Sequence, residues 1–411
     1  MAKVLGIVAE YNPFHNGHKY QIEEAKRQTG AEFVIAIISG NFTQRGDTAL
    51  VNKWTRTQMA LLNGVDIVLE LPLIYSISSA ENFADGAIKI LSSLKIVDTL
   101  VFGTETTDDA ALNNIANVLY AEPKEYKFLF DREIGKGNSF PVAREQALMK
   151  YLNDEKRYSG ILNGPNNILA IEYLKALKRQ RSDIAPLLIP RKKTGYYDDK
   201  IREDFASSTA IRNLICKGNF LEIRKVVPKT TYALIANEIK RGNIIPDISK
   251  YEKEIIYRLR TMSTSEIADL PDVSEGLENK IKEAVNSCNN VRALLKQLDS
   301  KRYTQSRIQR ILLYALFGIT KKQMADSKKI LSPYTRVLGC SEHGKEMISD
   351  ICHINPRIQI VTSVKKYMIN SSNKTLKEML EQDIMATNVY TLGYTKTSFA
   401  NLDYTNKIIV I

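Results

Sequence analysis

The strongest constraint on this chain is the rhythm of its first 215 residues, where short apolar runs alternate with loops and helical segments. Residues 4–9, 33–38, 65–70 and 99–102 are runs dominated by Val, Ile, Leu and Phe that stop at turn residues, and 17–29, 53–62 and 80–94 have helical length and composition. Strands that are apolar on both faces and separated by helices predict a parallel sheet with helices on both sides. Crossovers in such a sheet are right-handed, and ligands sit outside the carboxyl ends of the strands. Residues 108–185 read as mostly helical, 187–189 as a fifth strand, and the chain turns helical again after Ser207. The fold class expected is therefore α/β, with a Rossmann-like parallel-sheet domain over residues 1–220. Segments 232–240, 251–259, 278–288, 291–298 and 305–316 fit a helical bundle over 221–325. Residues 326–411 read as a small mixed α/β region, with strands at 359–362 and 407–411 and a helix at 375–386.

The first loop carries chemistry. Directly after strand one the chain runs Tyr11-Asn12-Pro13-Phe14-His15-Asn16-Gly17-His18, and Asn-Pro with Asn-Gly supplies the turn into a helix. A helix start offers free N–H groups and the positive end of a dipole, and glycine lets a ligand approach the backbone. Imidazole N–H donors add hydrogen bonds that strengthen as charge builds on phosphoryl oxygens. Two of the chain's four histidines lie here, at the edge where the fold predicts a ligand. A second element, Ser207-Ser208-Thr209-Ala210-Ile211-Arg212, opens a helix after the fifth predicted strand. Its hydroxyls suit ordinary helix capping and also suit phosphate binding beside the Arg212 cation. Two phosphate elements at the ends of one α/β unit are more specific than either alone.

His-x-Gly-His after a first strand resembles the signature of the HIGH superfamily of nucleotidylyltransferases and class I aminoacyl-tRNA synthetases, and Ser-Ser-Thr-x-Ile-Arg is similar to the element with which nucleotidylyltransferases hold the β- and γ-phosphates. Further stretches narrow the resemblance. They are Ser39-Gly40-Asn41-Phe42 with Gln44-Arg45-Gly46; Lys53-Trp54 with Arg56; Val65 through Pro72; Phe102-Gly103; Pro165-Asn166-Asn167-Ile168-Leu169; and Lys301-Arg302-Tyr303-Thr304-Gln305 with Arg307 and Arg310. Together with 10–18 they resemble the bacterial tRNA(Met) cytidine acetate ligase family over roughly residues 1–325, and Tyr334 through Gly339 is similar too.

The resemblance implies an enzyme that uses ATP and acetate to form acetyl-adenylate and passes the acetyl group to N4 of the wobble cytidine of elongator tRNA(Met), giving N4-acetylcytidine. It implies an ATP site at Ile7, Val8, Ala9, Glu10, Tyr11, Asn12, Pro13, Phe14, His15, Asn16, Gly17, His18, Lys19 and Tyr20, with Gly103, Asn167 and Arg191. His15 and His18 are the expected catalytic residues, and Ser207, Ser208, Thr209 and Arg212 are expected to hold the leaving diphosphate, bridged by Mg²⁺. Gln44, Arg45 and Lys53, at the edge of the same cleft, are expected to meet the base or the acetyl oxygen. One departure stands at Tyr196-Tyr197-Asp198, where many family members carry His-Asp.

Charge supports an RNA partner. The formal net charge is +12, of which residues 1–220 hold +2 and 221–411 hold +10. A basic half beside a neutral one suggests a polyanion. On a helix, Tyr303, Arg307 and Arg310 share a face, and with Lys301 and Arg302 they are expected to bind the anticodon loop, where fork donors and an aromatic suit phosphates and unpaired bases. Lys321-Lys322 and Lys328-Lys329 extend the track.

Cys340-x-x-His343 and Cys352-His353 lack the matched pairs of a zinc finger, so no structural zinc is expected. No apolar run reaches the roughly 18–20 residues of a membrane span, no signal-peptide cleavage pattern follows the first strand, and four scattered cysteines suit a reducing cytoplasm. Two other readings stay open at this point: an adenylyltransferase for a small cofactor precursor, which has no use for the basic half, and a non-catalytic RNA-binding protein that retains a nucleotide fold.

Overall fold

The computed structural model of the protein describes residues 3–191, 204–300 and 302–411. Among these, eight strands form one sheet: β1 (Val4–Ala9), β2 (Phe33–Ser39), β3 (Ile67–Leu71), β4 (Thr99–Thr104), β5 (Ala185–Pro190), β6 (Thr335–Cys340), β7 (Ile360–Val361) and β8 (Ile409–Val410). The order is β5-β4-β1-β2-β3-β6-β7, with β8 beside β6. The first five strands are parallel, as the alternating pattern predicts; the apolar runs of β1 to β4 are largely buried, whereas β5 at the sheet edge buries Leu188 and Ile189. From β1 the chain adds β2 and β3 on one side and then returns to place β4 and β5 on the other. That reversal is a topological switch point, where loops on either side of β1 diverge and leave a crevice.

The helices that frame the crevice are α1 (Asn16–Thr29), α2 (Lys53–Leu61), α3 (Ala80–Leu94), α4 (Pro165–Gln180), α5 (Ser208–Cys216), α6 (Gln305–Phe317) and α7 (Lys374–Leu392). Each boundary has a local cause. Asn52, Ser79, Ser207 and Thr304 are N-caps whose side chains accept from backbone N–H groups in the first turn, and Gly30 and Gly318 end α1 and α6 in the left-handed region.

The sheet departs from the sequence reading at β6, which runs antiparallel to β3 and pairs Glu70 with Arg336. Residues 334–339 were singled out for their resemblance but not as a strand. The physical reason for the pairing lies in charge. Glu70 is buried in β3, and Lys53 at the start of α2 places its ammonium 2.8 Å and 2.9 Å from the two carboxylate oxygens. Arg336 stands 2.9 Å from the same carboxylate, and Asp403 stands 2.8 Å from Lys53 and bonds Arg336 as well. Two cations and two carboxylates thus neutralise one another in a region closed to water. Lys53, expected at the cleft edge, is fully buried here instead, because Glu70 and a carboxylate 350 residues away in sequence draw it inward.

Aromatic packing joins the remaining segments. The Phe42 ring, wholly buried, meets Tyr251, Phe317 and Tyr390 at 5.8, 4.9 and 6.0 Å between centroids. The loop after β2, the helical half and α7 therefore share one core, which Tyr390 extends by donating its hydroxyl to the Ala49 carbonyl at 2.8 Å.

Asp403→Ala leaves Lys53 and Arg336 with a single carboxylate in a dry core. The expected result is a loss of about 3–5 kcal/mol of folding stability, read as a lowered urea midpoint and melting temperature. A variant as stable as the parent would show that the quartet does not hold the C-terminal region to the sheet.

Candidate functional site

The crevice at the carboxyl ends of the strands is a cavity of about 910 Å³. The residues that follow β1 (Glu10, Tyr11, Asn12), the loop after β2 (Thr43, Gln44, Arg45), Gly103 in β4 and Arg191 after β5 all line it. So do the first residues of five helices: Gly17 and His18 of α1, Ala80 of α3, Pro165 and Asn166 of α4, Ser208 and Thr209 of α5, and Gln305 and Ser306 of α6. Helix N-termini aimed at one space make it receptive to a polyanion.

The histidine pair caps α1 reciprocally. His15 Nδ1 accepts the Gly17 N–H at 3.1 Å, and His18 Nδ1 accepts the His15 N–H at 3.2 Å. With each Nδ1 committed as an acceptor, the neutral ring carries its proton on Nε2, which fixes both imidazoles as Nε2–H donors. The rings stack with centroids 3.7 Å apart and planes 20° from parallel. Two imidazolium cations could not share that spacing, and burial favours the neutral form. Burial pushes the His15 imidazole down to about 3, with the Arg191 charge adding to the fall. It pushes His18 well below its ordinary value, followed by the effects of His15 and Arg191. Gly17 is required by contact, since a Cβ there would sit 2.9 Å from His15 Cε1. Tyr11, whose ring lies 4.9 Å from that of His18, has a buried hydroxyl with no hydrogen-bond partner among the described residues.

The second predicted element faces the first. Ser207 Oγ accepts the Ala210 N–H at 3.1 Å and so caps α5, while Ser208, Thr209 and Arg212 line the cavity. Asn16 joins the two elements: its side chain donates to the Asp204 and Lys225 carbonyls, both at 2.9 Å, and its N–H reaches the Val226 carbonyl at 3.0 Å. Not every helix start is open to a ligand. That of α4 is occupied by Glu105, whose carboxylate accepts from Asn166 N at 3.1 Å and Asn167 N at 2.7 Å.

Of the other residues expected in the ATP site, Val8, Ala9, Glu10, Tyr11, Asn12, Tyr20, Gly103 and Arg191 line the cavity, whereas Ile7, Pro13, Phe14, Asn16, Lys19 and Asn167 do not. Gly103 lies beneath Arg191, where a Cβ would come 3.5 Å from Arg191 Cγ. Asn167 is committed to the backbone: its Oδ1 accepts from Glu105 N at 2.9 Å and Thr106 N at 3.2 Å, and its amide donates to the Ile161 carbonyl at 3.1 Å.

Of the residues expected to meet RNA, Arg310 lines the cavity. Arg307 donates to the Asp272 carbonyl at 2.9 and 2.6 Å and lies 4.7 Å over the Tyr303 ring, while Arg310 pairs with the Asp272 carboxylate at 3.1 Å. Arg302, well exposed, meets Glu275 at 3.1 Å. Lys301 and the stretch Tyr196-Tyr197-Asp198 lie outside the described residues.

The sequence reading missed that the start of α6, with Gln305, Ser306 and Gln309, closes one wall. A signal was present in Gly46, which adopts φ +77° and packs so closely on α6 that a Cβ would fall 2.4 Å from Arg310 N. Among the described residues no group of three His, Cys, Asp or Glu side chains is placed to hold a metal. Cys340 is buried in β6, while Cys352 is exposed on the helix Glu342–Ile354. No helix among the described residues is long and apolar enough to cross a membrane.

A family model described as HIGH Nucleotidyl Transferase matches residues 2–404. The chain is 42% identical over 408 residues to a tRNA(Met) cytidine acetate ligase of Caldanaerobacter subterraneus subsp. tengcongensis, covering 99% of each chain. It is 40% identical over 416 residues to one of Acetivibrio thermocellus, covering all of both. Among solved structures it is similar to Thermotoga maritima TmcAL, at 32% identity over 100% of this chain and 99% of that one. The TM-score is 0.94 for the apo form and 0.92 for a form bound with alpha-thio ATP.

The neutral imidazole pair predicts a pH signature. Both folded-state values are lowered, so the unfolded chain binds more protons below the ordinary value of 6.5. The contribution is complete above pH 6.5 and is lost as pH falls through the folded values, toward about 3 for His15. Urea unfolding between pH 7 and 5 should show the parent losing up to roughly 1.4 kcal/mol per pH unit for each imidazole relative to His15→Asn and His18→Asn. Parallel stability curves would mean that the pair is not held neutral.

Proposed function

The chain belongs to the HIGH nucleotidyl transferase family and, within it, to the tRNA(Met) cytidine acetate ligases, and on that footing we propose that it activates acetate with ATP and acetylates N4 of the wobble cytidine of elongator tRNA(Met). The observation that carries this reading is the pair of stacked, neutral Nε2–H imidazoles across one cavity from the open N-terminus of α5.

In the first step a carboxylate oxygen of acetate attacks the α-phosphorus in line, the bond to diphosphate breaks, and acetyl-adenylate forms. No protein nucleophile is needed, because positioning and charge stabilisation carry such transfers. His15 and His18 donate to phosphoryl oxygens as charge grows on them, and being uncharged they do so without trapping the ground-state triphosphate as cations would. The start of α5, with Ser208, Thr209 and Arg212, holds the departing diphosphate, and Arg191 over Gly103 marks the adenosine end. Mg²⁺ would neutralise charge on the phosphates. Among the described residues no cage of carboxylates is placed for it, and the donor set fits an ion carried by phosphate oxygens and water. In the second step the cytidine amine attacks the acetyl carbonyl and AMP leaves, giving N4-acetylcytidine.

The helical half, residues 221–325, is proposed to receive the anticodon loop and residues 1–220 to perform the chemistry, with 326–411 bracing the sheet. Tyr303, Arg307 and Arg310 serve that surface by fixing the 272–275 turn against α6, and Arg302, well exposed, reaches outward. An unpaired wobble base costs little to swing into a pocket. ATP and tRNA as substrates place the reaction in the cytoplasm.

Incubation with ATP and labelled acetate should yield labelled acetyl-adenylate without RNA and labelled tRNA(Met) with it. ATP turnover that ignores acetate but needs a mononucleotide would overturn the reading. His18→Ala should slow adenylate formation about 100-fold or more while changing tRNA affinity little. Arg302→Ala should weaken RNA binding and flatten its salt dependence by roughly one unit of slope.

A further inference from the structure

An anion-receiving cavity has little use for a carboxylate, yet one stands in it. Arg45, Arg191, Arg212 and Arg310 line the space, and among the described residues its acidic lining is Glu10 and Asp47. Asp47 is committed: its Oδ1 accepts from Thr48 N at 2.8 Å and Ile248 N at 2.9 Å, and it faces Arg212. Glu10 differs. It is half-buried at the carboxyl end of β1 and held at two points. Arg56 donates to its backbone carbonyl at 2.7 Å, and Gln44 N donates to its Oε1 at 3.0 Å. Among the described residues nothing donates to its Oε2. A carboxylate fixed at one oxygen, with the other met by no described protein group, is placed to accept a donor that a substrate brings.

The surroundings say which donor. Gln44 belongs to the loop that packs through Gly46 onto α6, so Glu10 stands on the wall shared with the helical half. The donor arriving from the helical side is an exocyclic amine of an RNA base, and a carboxylate is the natural acceptor for a cytosine amine.

This inference rests on the reading of the site given above. We propose that Glu10 is the catalytic acceptor for the target cytidine: its Oε2 takes a hydrogen bond from the N4 amine, aims that nitrogen at the acetyl carbonyl, and receives the proton released as the amide forms. The amine lone pair is drawn into the pyrimidine ring and makes a weak nucleophile, so proton removal has to accompany bond formation. The N4–C bond forms, the bond between the acetyl carbon and the phosphate oxygen breaks, the electron pair leaves with AMP, and the N4 proton passes to Glu10 and then to solvent. The cavity imidazoles are poorly suited to that task, because His15 and His18 present donors on Nε2 and commit Nδ1 to the backbone. Arg56 and Tyr173 face Glu10 from α2 and α4, so its charge is set against one cation and one neutral phenol.

The test isolates the second step. Acetyl-adenylate is first formed on the enzyme, then tRNA(Met) is added, and the single-turnover rate of label entering RNA is followed beside the rate of adenylate formation. Glu10→Gln keeps an acceptor for Gln44 N, yet should transfer about 100-fold more slowly, with adenylate formation reduced far less. Glu10→Asp, which keeps the carboxylate, should recover most of the transfer rate, which a purely structural role would not produce. A Gln variant that transfers at the parental rate, or one that loses both half-reactions equally, overturns the assignment. Failure of the parent itself to form the adenylate or label RNA would refute the proposed function instead, so the two outcomes are distinguishable.

Discussion

The buried contact between Lys53 and Glu70 is the constraint on which the site's geometry depends. A carboxylate in a central strand and an ammonium at the start of the preceding helix cannot be left in a low-dielectric interior with unmatched partners. Arg336 and Asp403 complete the set, and doing so fixes β6 along the edge of β3 and anchors the chain's last segment to its first. The loop between β2 and α2 is held by the same device. Arg56, fully buried one turn after Lys53, donates to the carbonyls of Glu10, Ser39, Gly40 and Val51. One guanidinium therefore ties the end of β1 to the end of β2, and both flank the cavity.

That rigidity bears on function because the cavity works through fixed dipoles. A triphosphate leaving water must find donors already oriented, or the reorganisation consumes the binding energy. The reciprocal cap of His15 and His18 supplies this orientation without relying on long side chains. Each ring is aligned by one backbone N–H, by its stacked partner and by the walls of Tyr11 and Phe14, whose rings stand 4.9 and 5.4 Å from that of His18. Neutrality follows from the same packing, so in the proposed reading the pair meets phosphate by geometry while the arginines provide the charge.

Much of this was legible in the sequence. The first five strands and the helices between them follow from continuous apolar runs and their caps, and the two phosphate elements stand out because His, Gly, Ser and Thr occur where a parallel sheet exposes its ligand edge. The rest depended on partners distant in sequence. Thr335–Cys340 contains Arg336 and Gly339, so its apolar pattern is short and broken, and its identity as a strand comes from Glu70 in β3. Lys53 reads as available because its partners, Glu70 and Asp403, lie 17 and 350 residues away in sequence. Arg307 and Arg310 share a helical face as the spacing predicts, whereas Tyr303 precedes the Thr304 cap and bridges to Ser300; the face closes on Asp272, whose left-handed turn at φ +64° had no sequence signal beyond Leu-Pro-Asp. Asn167 has the residue type of a ligand contact, whereas its hydrogen bonds organise the loop after β4.

The distribution of helix starts around the cavity gives the site direction. Those of α1 and α5 are capped by His15 and by Ser207, neutral groups that leave further N–H groups and the dipole facing the space. That of α4 is closed by the Glu105 carboxylate, which cancels its pull on a phosphate. The positive end of the field thus lies between α1 and α5 and fades toward α4. In the proposed reading a polyphosphate is drawn to the first place, which leaves for the less charged parts of the substrates the wall where Phe102 and Tyr173 pack at 5.4 Å. Orientation within the cavity follows from which helix starts are already neutralised.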